Sequence, residues 1–303
     1  MDPSGRSRTH KGTCPLVDLS PGHDSRWPSR TAHLDIPGRV ETTCTGRGCM
    51  SGYTPGRRYA NPPIEEAIFQ LELDAPVEWT VATPGLAYAT LRGIYPTTPE
   101  AQQQMSASVG QDQTEMIGLT LQQGATRFIF KDATFNRFAI LSDRFQVVGT
   151  RRPYHQWPEL RGRLEQLVDL TKEIYGDQRG YRSVSIRYIN RIVIPSGAVD
   201  TDEYFTVPVP TALGGKAPFR SFISQVESAL PNETTARIAF ASLEPQDGGT
   251  NNQFLLDLDF KRPCQTSNLD EILAIADELK NEENREFEAR ITDRTRSLFD
   301  GEN

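Results

Sequence analysis

A chain of 303 residues is long enough for one large domain or two and can bury a substantial core. Its formal net charge is −7, and because residues 1–50 hold seven basic and five acidic residues, residues 51–303 carry −9. An acidic body disfavours nucleic acid as a partner, since wrapping it requires a basic face with many phosphate contacts. No apolar run approaches the ~18–20 residues that a membrane span needs, and no apolar segment near the start resembles a secretory signal. We therefore expect a cytoplasmic protein without a membrane partner.

The N-terminal segment 1–58 is rich in Arg, Ser, Thr, Gly and Pro and shows neither helical nor strand periodicity. Such a segment cannot bury enough apolar surface to offset the entropy lost on ordering, so we expect it to be disordered. The sequence after Met50 resembles an ordinary protein start. We therefore interpret the first 49 residues as an upstream extension that reflects an over-called N-terminus.

The cysteines predict neither a disulfide framework nor a zinc site. Their spacing gives no C-x₂₋₄-C knuckle with a second matching pair. They are Cys14, Cys44, Cys49 and Cys264. We expect no metal and no cofactor.

The first half of the folded part begins with a predicted strand over 62–73 and a short helix over 84–96. Hairpin-length connections then predict an antiparallel meander of short strands. These strands are 114–122, 126–132, 137–143 and 144–151. Apolar residues recurring every three to four positions predict a long helix over 156–176, which Gly176 ends.

The second half follows the same order, from a long strand over 182–195 to a turn or two of helix over 200–205. Three more strands are predicted over 220–230, 235–243 and 253–262. A last helix is predicted to start at Ser267, where Asp270 three residues later resembles a capping box, and to continue through Leu298.

These elements predict an α+β fold made of two similar halves, 59–180 and 181–303, packed as one domain. Each half reads as strand, short helix, antiparallel meander and long helix, which is a duplication of element order rather than of residues. The economical packing is one twisted antiparallel sheet with the long helices on one face. The other face would then be open to a ligand.

Strand alternation separates the side chains of 183–195 into two faces. The mainly apolar face is predicted to meet the helices, and it comprises Val184, Ile186, Tyr188, Asn190, Ile192 and Ile194. Asn190 should therefore be a buried amide with hydrogen-bond partners. The opposite face carries Arg187 and Arg191. On this assignment Arg187→Ala leaves the fold largely intact, whereas Asn190→Leu destabilises it.

The same alternation predicts a charged cluster on the open face. On 253–262 the apolar stripe alternates with Asp257 and Asp259. The full set of candidate binding residues is Arg127, Arg187, Arg191, Arg237, Asp257 and Asp259. Three interpretations remain open: cross-strand ion pairs on a solvated face, a cleft for an anionic group or a partner peptide, and a metal-binding Asp pair that positions a phosphate.

Several segments occur in an order that resembles a known family. They are "YANPPIEEAIFQLEL", "LSDRFQVVGTRRPYHQW", "IRYINRIVIP", "DEYF", "LLDLDF" and "FEARITDRTRSLF". Over 59–299 the chain resembles a sporadically distributed family of uncharacterised bacterial proteins. The resemblance implies no catalytic residues, and it implies an accessory gene in a mobile or defence-type setting.

These observations favour a non-enzymatic binding module that uses the charged sheet face and the acidic helix over 267–299. Its expected partner is a protein or a small anionic ligand, and pairing of sheet faces or edges in a homodimer is a further hypothesis. The alternative function is a metal-dependent phosphohydrolase or nucleotide-binding enzyme that uses Asp257 and Asp259.

Overall fold

The computed structural model describes residues 52–111, 117–177, 179–195, 199–209, 221–244 and 251–301. Side chains are not described at 104–125. The side chains discussed below belong to a compact unit formed by the described residues of Cys49–Gln103 and Ala125–Asn303. Most of the predicted N-terminal tail, and three of the four cysteines, lie outside the described residues.

The described residues form nine strands in a single antiparallel sheet, so the predicted α+β class is confirmed. The strands are β1 (Ile64–Leu73), β2 (Glu100–Gln111), β3 (Ile117–Lys131), β4 (Arg137–Leu141), β5 (Phe145–Arg151), β6 (Tyr181–Ile194), β7 (Ile223–Ala229), β8 (Thr235–Leu243) and β9 (Asn252–Thr266). Their order across the sheet is β2-β3-β4-β5-β1-β6-β9-β8-β7. The two strands that begin the predicted halves, β1 and β6, are thus neighbours at the centre.

Five α-helices lie in the described part of the chain. They are α1 (Thr83–Leu91), α2 (Trp157–Leu170), α3 (Lys172–Tyr175), α4 (Leu269–Arg290) and α5 (Asp293–Asp300). A 3₁₀ turn at Thr201–Glu203 matches the short helical element predicted over 200–205. Helix α2 packs against β5 and β1, and α4 packs against β9 and β6.

The strands of the first half differ from the prediction at two places. Strand β2 was not predicted, and the break predicted between the strands 114–122 and 126–132 is wrong, because β3 is continuous there. Strands are recognised in a sequence by alternating apolar and polar residues, which requires one buried face. Most of the segment 100–111 is polar, so this pattern is absent there.

The predicted long helices are each interrupted. Thr171 separates α2 from α3, and its hydroxyl donates to the carbonyl of Leu167 at 2.7 Å. Ile291 separates α4 from α5 because the 204–206 segment takes over the backbone hydrogen bonds there. The amide of Thr206 donates to the Arg290 carbonyl and that of Thr292 to the Tyr204 carbonyl, both at 3.0 Å.

One apolar core contains residues of the sheet and of both long helices. It includes Phe69, Ile186 and Leu258 from the strands, Leu160 and Leu164 from α2, and Leu273 and Leu279 from α4. Burying side chains of this size contributes about 1.5–3 kcal/mol each. The strand residues that alternate with this core form the opposite surface of the sheet, which we call the polar face.

Candidate functional site

The face assignment for β6 and β9 is confirmed. All six residues predicted to face the core on β6 are buried, as are Phe254, Leu256, Leu258 and Phe260 on β9. Asn190 is 1% exposed, and its Nδ2 donates to the carbonyl of Leu256 at 3.2 Å. The polar face therefore carries the charged residues of these strands.

Strand register places oppositely charged residues in one row across the polar face. Arg187 of β6 lies opposite Asp259 of β9, and Asp259 lies opposite Arg237 of β8. Glu227 of β7 lies opposite Arg237 and extends the row. Four strands thus present charges of alternating sign, as expected where cross-strand pairs stabilise a sheet surface.

The two arginines of this row each form an ion pair. Arg187 donates from Nε and Nη2 to the two oxygens of Asp257, at 2.9 and 2.6 Å, so the contact is bidentate. Arg237 donates from Nη2 to Asp259 at 2.5 Å. Asp257 is only 8% exposed, so its charge depends on Arg187 for compensation.

The structure does not bring all six predicted residues together. Arg127 lies on β3, which three strands separate from β6, and its Nε donates to Gln102 at 2.9 Å. Arg191 is on the predicted face but bonds to the amide of Gln253. The cluster therefore comprises Arg187, Arg237, Asp257 and Asp259.

A groove of about 370 Å³ lies in the polar face beside this cluster. Its lining comprises Ile68, Gln70, Ser185, Arg187, Glu227, Thr235, Arg237, Asp259 and Lys261. The short side chains of Ser185 and Thr235 flank Lys261 in the row next to that of Asp259. These short side chains between longer ones create the groove. Three cationic side chains, those of Arg187, Arg237 and Lys261, line it.

Burial and ion pairing shift the pKa values of groups at the groove. Burial raises the pKa of Asp259, and Arg237 and Arg187 oppose that shift. The hydrogen bonds to Asp257 raise the pKa of Arg187 against the effect of burial. At the edge of the groove Lys261 donates to Glu72 at 2.9 Å. Burial tends to raise the pKa of Glu72, but hydrogen bonds from Arg182, Lys261 and Ser183 lower it to about 2.

The two aspartates are arranged for ion pairing rather than for metal coordination. Both oxygens of Asp257 accept hydrogen bonds from Arg187, and Asp259 accepts from Arg237. A divalent cation at Asp257 would compete with the Arg187 guanidinium for both carboxylate oxygens. Among the described residues, no group of three or more His, Cys, Asp or Glu side chains could hold a metal ion.

A second cavity, of about 300 Å³, was not identified from the sequence. It lies where residues 53–64 meet α4 and the start of α2. The residues that line this cavity are far apart in the chain, so no local sequence pattern predicts the cavity. One signal was present: Lys280 and Glu283 occupy positions in the apolar stripe of α4, where buried charges are rare.

Comparison with known proteins does not assign the chain to a class. No protein-family model matches it, and no curated protein matches it. None of the helices in the described part of the chain has the length and apolar character needed to traverse a bilayer.

Proposed function

We propose that this protein is a non-enzymatic binding protein whose groove on the polar face takes the carboxylate or phosphate group of a ligand or of a partner protein. The observation that carries this proposal is the convergence of Arg187, Arg237 and Lys261 on one groove. Arginine offers a planar fork of donors that fits carboxylate and phosphate oxygens.

The cations retain hydrogen-bonding capacity for such a group. Their side chains are 37%, 36% and 50% exposed for Arg187, Arg237 and Lys261, respectively. Among the described residues, Nη1 of Arg187 and both Nε and Nη1 of Arg237 have no hydrogen-bond acceptor. An incoming anion could therefore bind to these donors without breaking the existing ion pairs.

The metal-dependent phosphohydrolase is the weaker candidate, since its two aspartates already accept from arginines. On our proposal Mg²⁺ and Mn²⁺ should not raise the melting temperature. Stabilisation by either ion that disappears in Asp257→Asn would favour the enzyme instead.

We also infer that the fold arose by duplication, with both long helices on the core side. In each half the first strand pairs with the last: β1 with β5, and β6 with β9. The charged residues of the groove all belong to the second half, although Ile68 and Gln70 of β1 also line it. On the polar face of the first half, Gln70 lies in a row with Val147, Ile140 and Ile129. An anion should therefore bind once per chain.

Isothermal titration calorimetry with inorganic phosphate and with succinate tests the groove. We expect binding of at least one of them, and a loss of about tenfold in affinity in Arg237→Gln, because a charge-assisted hydrogen bond is removed. The two titrants separate a phosphate site from a carboxylate site.

Arg127→Gln is the matched control. It removes the same charge from the same sheet, but from a strand outside the cluster, and it should leave affinity unchanged. Absence of binding by both anions, or equal losses in the two variants, would overturn the proposal.

A further inference from the structure

The second cavity has an aromatic and proline-rich lining with polar groups at its base. Its walls include Tyr53, Tyr59, Trp157 and Phe287. The ring centroids of Tyr53 and Trp157 are 6.4 Å apart, as are those of Tyr59 and Phe287. The indole N–H of Trp157 donates to Asp277 at 2.7 Å, which fixes the orientation of that wall. The ring planes of the first pair are tilted by 50° and those of the second pair meet edge to face at 73°, and aromatic walls of this kind suit an aromatic ligand.

A buried ion pair forms part of the base. Lys280 and Glu283, one turn apart on α4, are 5% and 3% exposed and form a salt bridge. The Lys280 ammonium lies 3.7 Å from the centroid of the Tyr188 ring. Burial lowers the pKa of Lys280, and Glu283 opposes that shift. Buried ion pairs are often no more stabilising than apolar residues of the same size, so stability alone does not account for this one.

Asn284 contributes an unused donor. It lines the cavity, and its Nδ2 is buried with no hydrogen-bond partner among the described residues. A buried amide donor without a partner is destabilising, and a ligand acceptor that reached it would relieve that cost. The neighbouring Glu283 carboxylate supplies an acceptor. The base therefore offers both kinds of hydrogen bond to the edge of a ring.

Two arginines, Arg57 and Arg58, line the cavity together with the carboxylates of Glu283 and Glu288. Arg57 bonds to Asp300 at 2.6 Å and stacks on Tyr59. Arg58 is exposed, lines the cavity and forms no hydrogen bond or salt bridge with any described residue. An anionic group on a bound ligand could therefore form an ion pair with Arg58.

We propose that this cavity binds a planar heteroaromatic ligand that carries an anionic group, with a mononucleotide as the representative of that class. The ring lies between the aromatic walls, its polar edge meets Asn284 and Glu283, and the anion meets Arg58. This site is separate from the groove on the polar face and does not depend on it.

Calorimetry with three probes dissects the two parts of the ligand. Adenosine 5′-monophosphate carries both ring and anion, adenosine lacks the anion, and ribose 5-phosphate lacks the ring. In the Arg237→Gln background, where the groove is weakened, we expect the monophosphate to bind best, adenosine to bind about tenfold more weakly, and ribose 5-phosphate to bind no better than inorganic phosphate.

Two variants assign the contacts without disturbing the core. Arg58→Ala should weaken the monophosphate about tenfold and leave adenosine unchanged. Asn284→Ala should weaken both, and it should not lower the melting temperature because it removes an unpaired donor. Asn284→Ser serves as the second variant if the first fails to fold.

Arg237→Gln, which alters the groove, should bind adenosine like the unmodified chain, because adenosine carries no anion for the groove. The proposal fails if the monophosphate does not bind the folded protein. It fails equally if binding survives Arg58→Ala and Asn284→Ala but is lost in Arg237→Gln, since the nucleotide would then occupy the groove.

Discussion

Arg187 illustrates how a residue on the expected face can still matter for stability. The sequence predicts that Arg187→Ala leaves the fold intact, yet Arg187 is the bidentate partner of the nearly buried Asp257. Removing Arg187 leaves the Asp257 carboxylate buried without its cationic partner. We expect a loss of about 2–3 kcal/mol in the free energy of unfolding.

The matched control for Arg187→Ala is Arg191→Ala, which removes a contact with a neutral amide and should cost under about 1 kcal/mol. Urea denaturation measures both. The double variant Arg187→Ala/Asp257→Ala should be more stable than Arg187→Ala alone. Equal costs for the two single variants would contradict this role.

Asn190 is the buried amide of β6. Replacing it with leucine keeps the branched shape of the side chain but removes the donor to the Leu256 carbonyl. We expect Asn190→Leu to lower the free energy of unfolding by about 1–3 kcal/mol. A urea midpoint unchanged from that of the unmodified chain would show that this hydrogen bond contributes nothing.

Glu72 links stability to pH. Its pKa falls from 4.5 to about 2 in the folded state, so its ionised form is favoured on folding. The resulting stabilisation is present above pH 4.5 and is lost as the pH falls toward 2. Because Arg182 and Lys261 are half exposed and solvent screens them, we expect Glu72→Gln to cost only about 1–2 kcal/mol at neutral pH.

The cost of Glu72→Gln should disappear near pH 2, as measured by chemical denaturation across the pH range. Glu173→Gln is the control, because Glu173 is exposed and has no salt bridge with a described residue. A cost for Glu72→Gln that is the same at both ends of the range would contradict the linkage.

At the scale of elements, the pairing of β4 with β5 depends on a glycine. Gly149 lies opposite Phe138, and a Cβ at Gly149 would lie 2.0 Å from Cζ of that ring. We expect Gly149→Ala to cost about 3 kcal/mol through overpacking. Gly162→Ala on α2 meets no atom within 4 Å and should instead stabilise by about 0.5–1 kcal/mol.

Thermal denaturation compares the two glycine variants. The double variant Gly149→Ala/Phe138→Ala should cost less than the sum of its single substitutions, because the clash is removed. A mild effect of Gly149→Ala, similar to that of Gly162→Ala, would contradict the close approach of the two strands.

Local sequence patterns predicted most helices and strands, but they did not predict the contacts between these elements. Alternation identified both faces of β6 and β9 because each strand has one apolar side. The breaks at Thr171 and Ile291 were missed, and the break at Ile291 depends on hydrogen bonds to a segment distant in the chain. Arg127 was misplaced for a related reason: alternation assigns a face, whereas strand order decides which residues on that face are neighbours.

At the scale of the whole molecule, the two candidate sites differ in what sequence could reveal. The groove was anticipated from charged residues on strands that turned out to be neighbours. The cavity required residues 53–64, α2 and α4 to be brought together by the fold. The two sites share no described lining residue, so a variant that abolishes binding at one should leave the other intact.

On our proposal, the groove on the polar face binds an anion through Arg237 and its neighbours. The most direct measurement is an NMR titration of arginine Nε–Hε signals with inorganic phosphate, with Arg237 and Arg127 each assigned by the variant that lacks it. We predict that the Arg237 signal shifts and saturates while the Arg127 signal stays in place. An unmoved Arg237 signal, or equal shifts of both, would contradict the account.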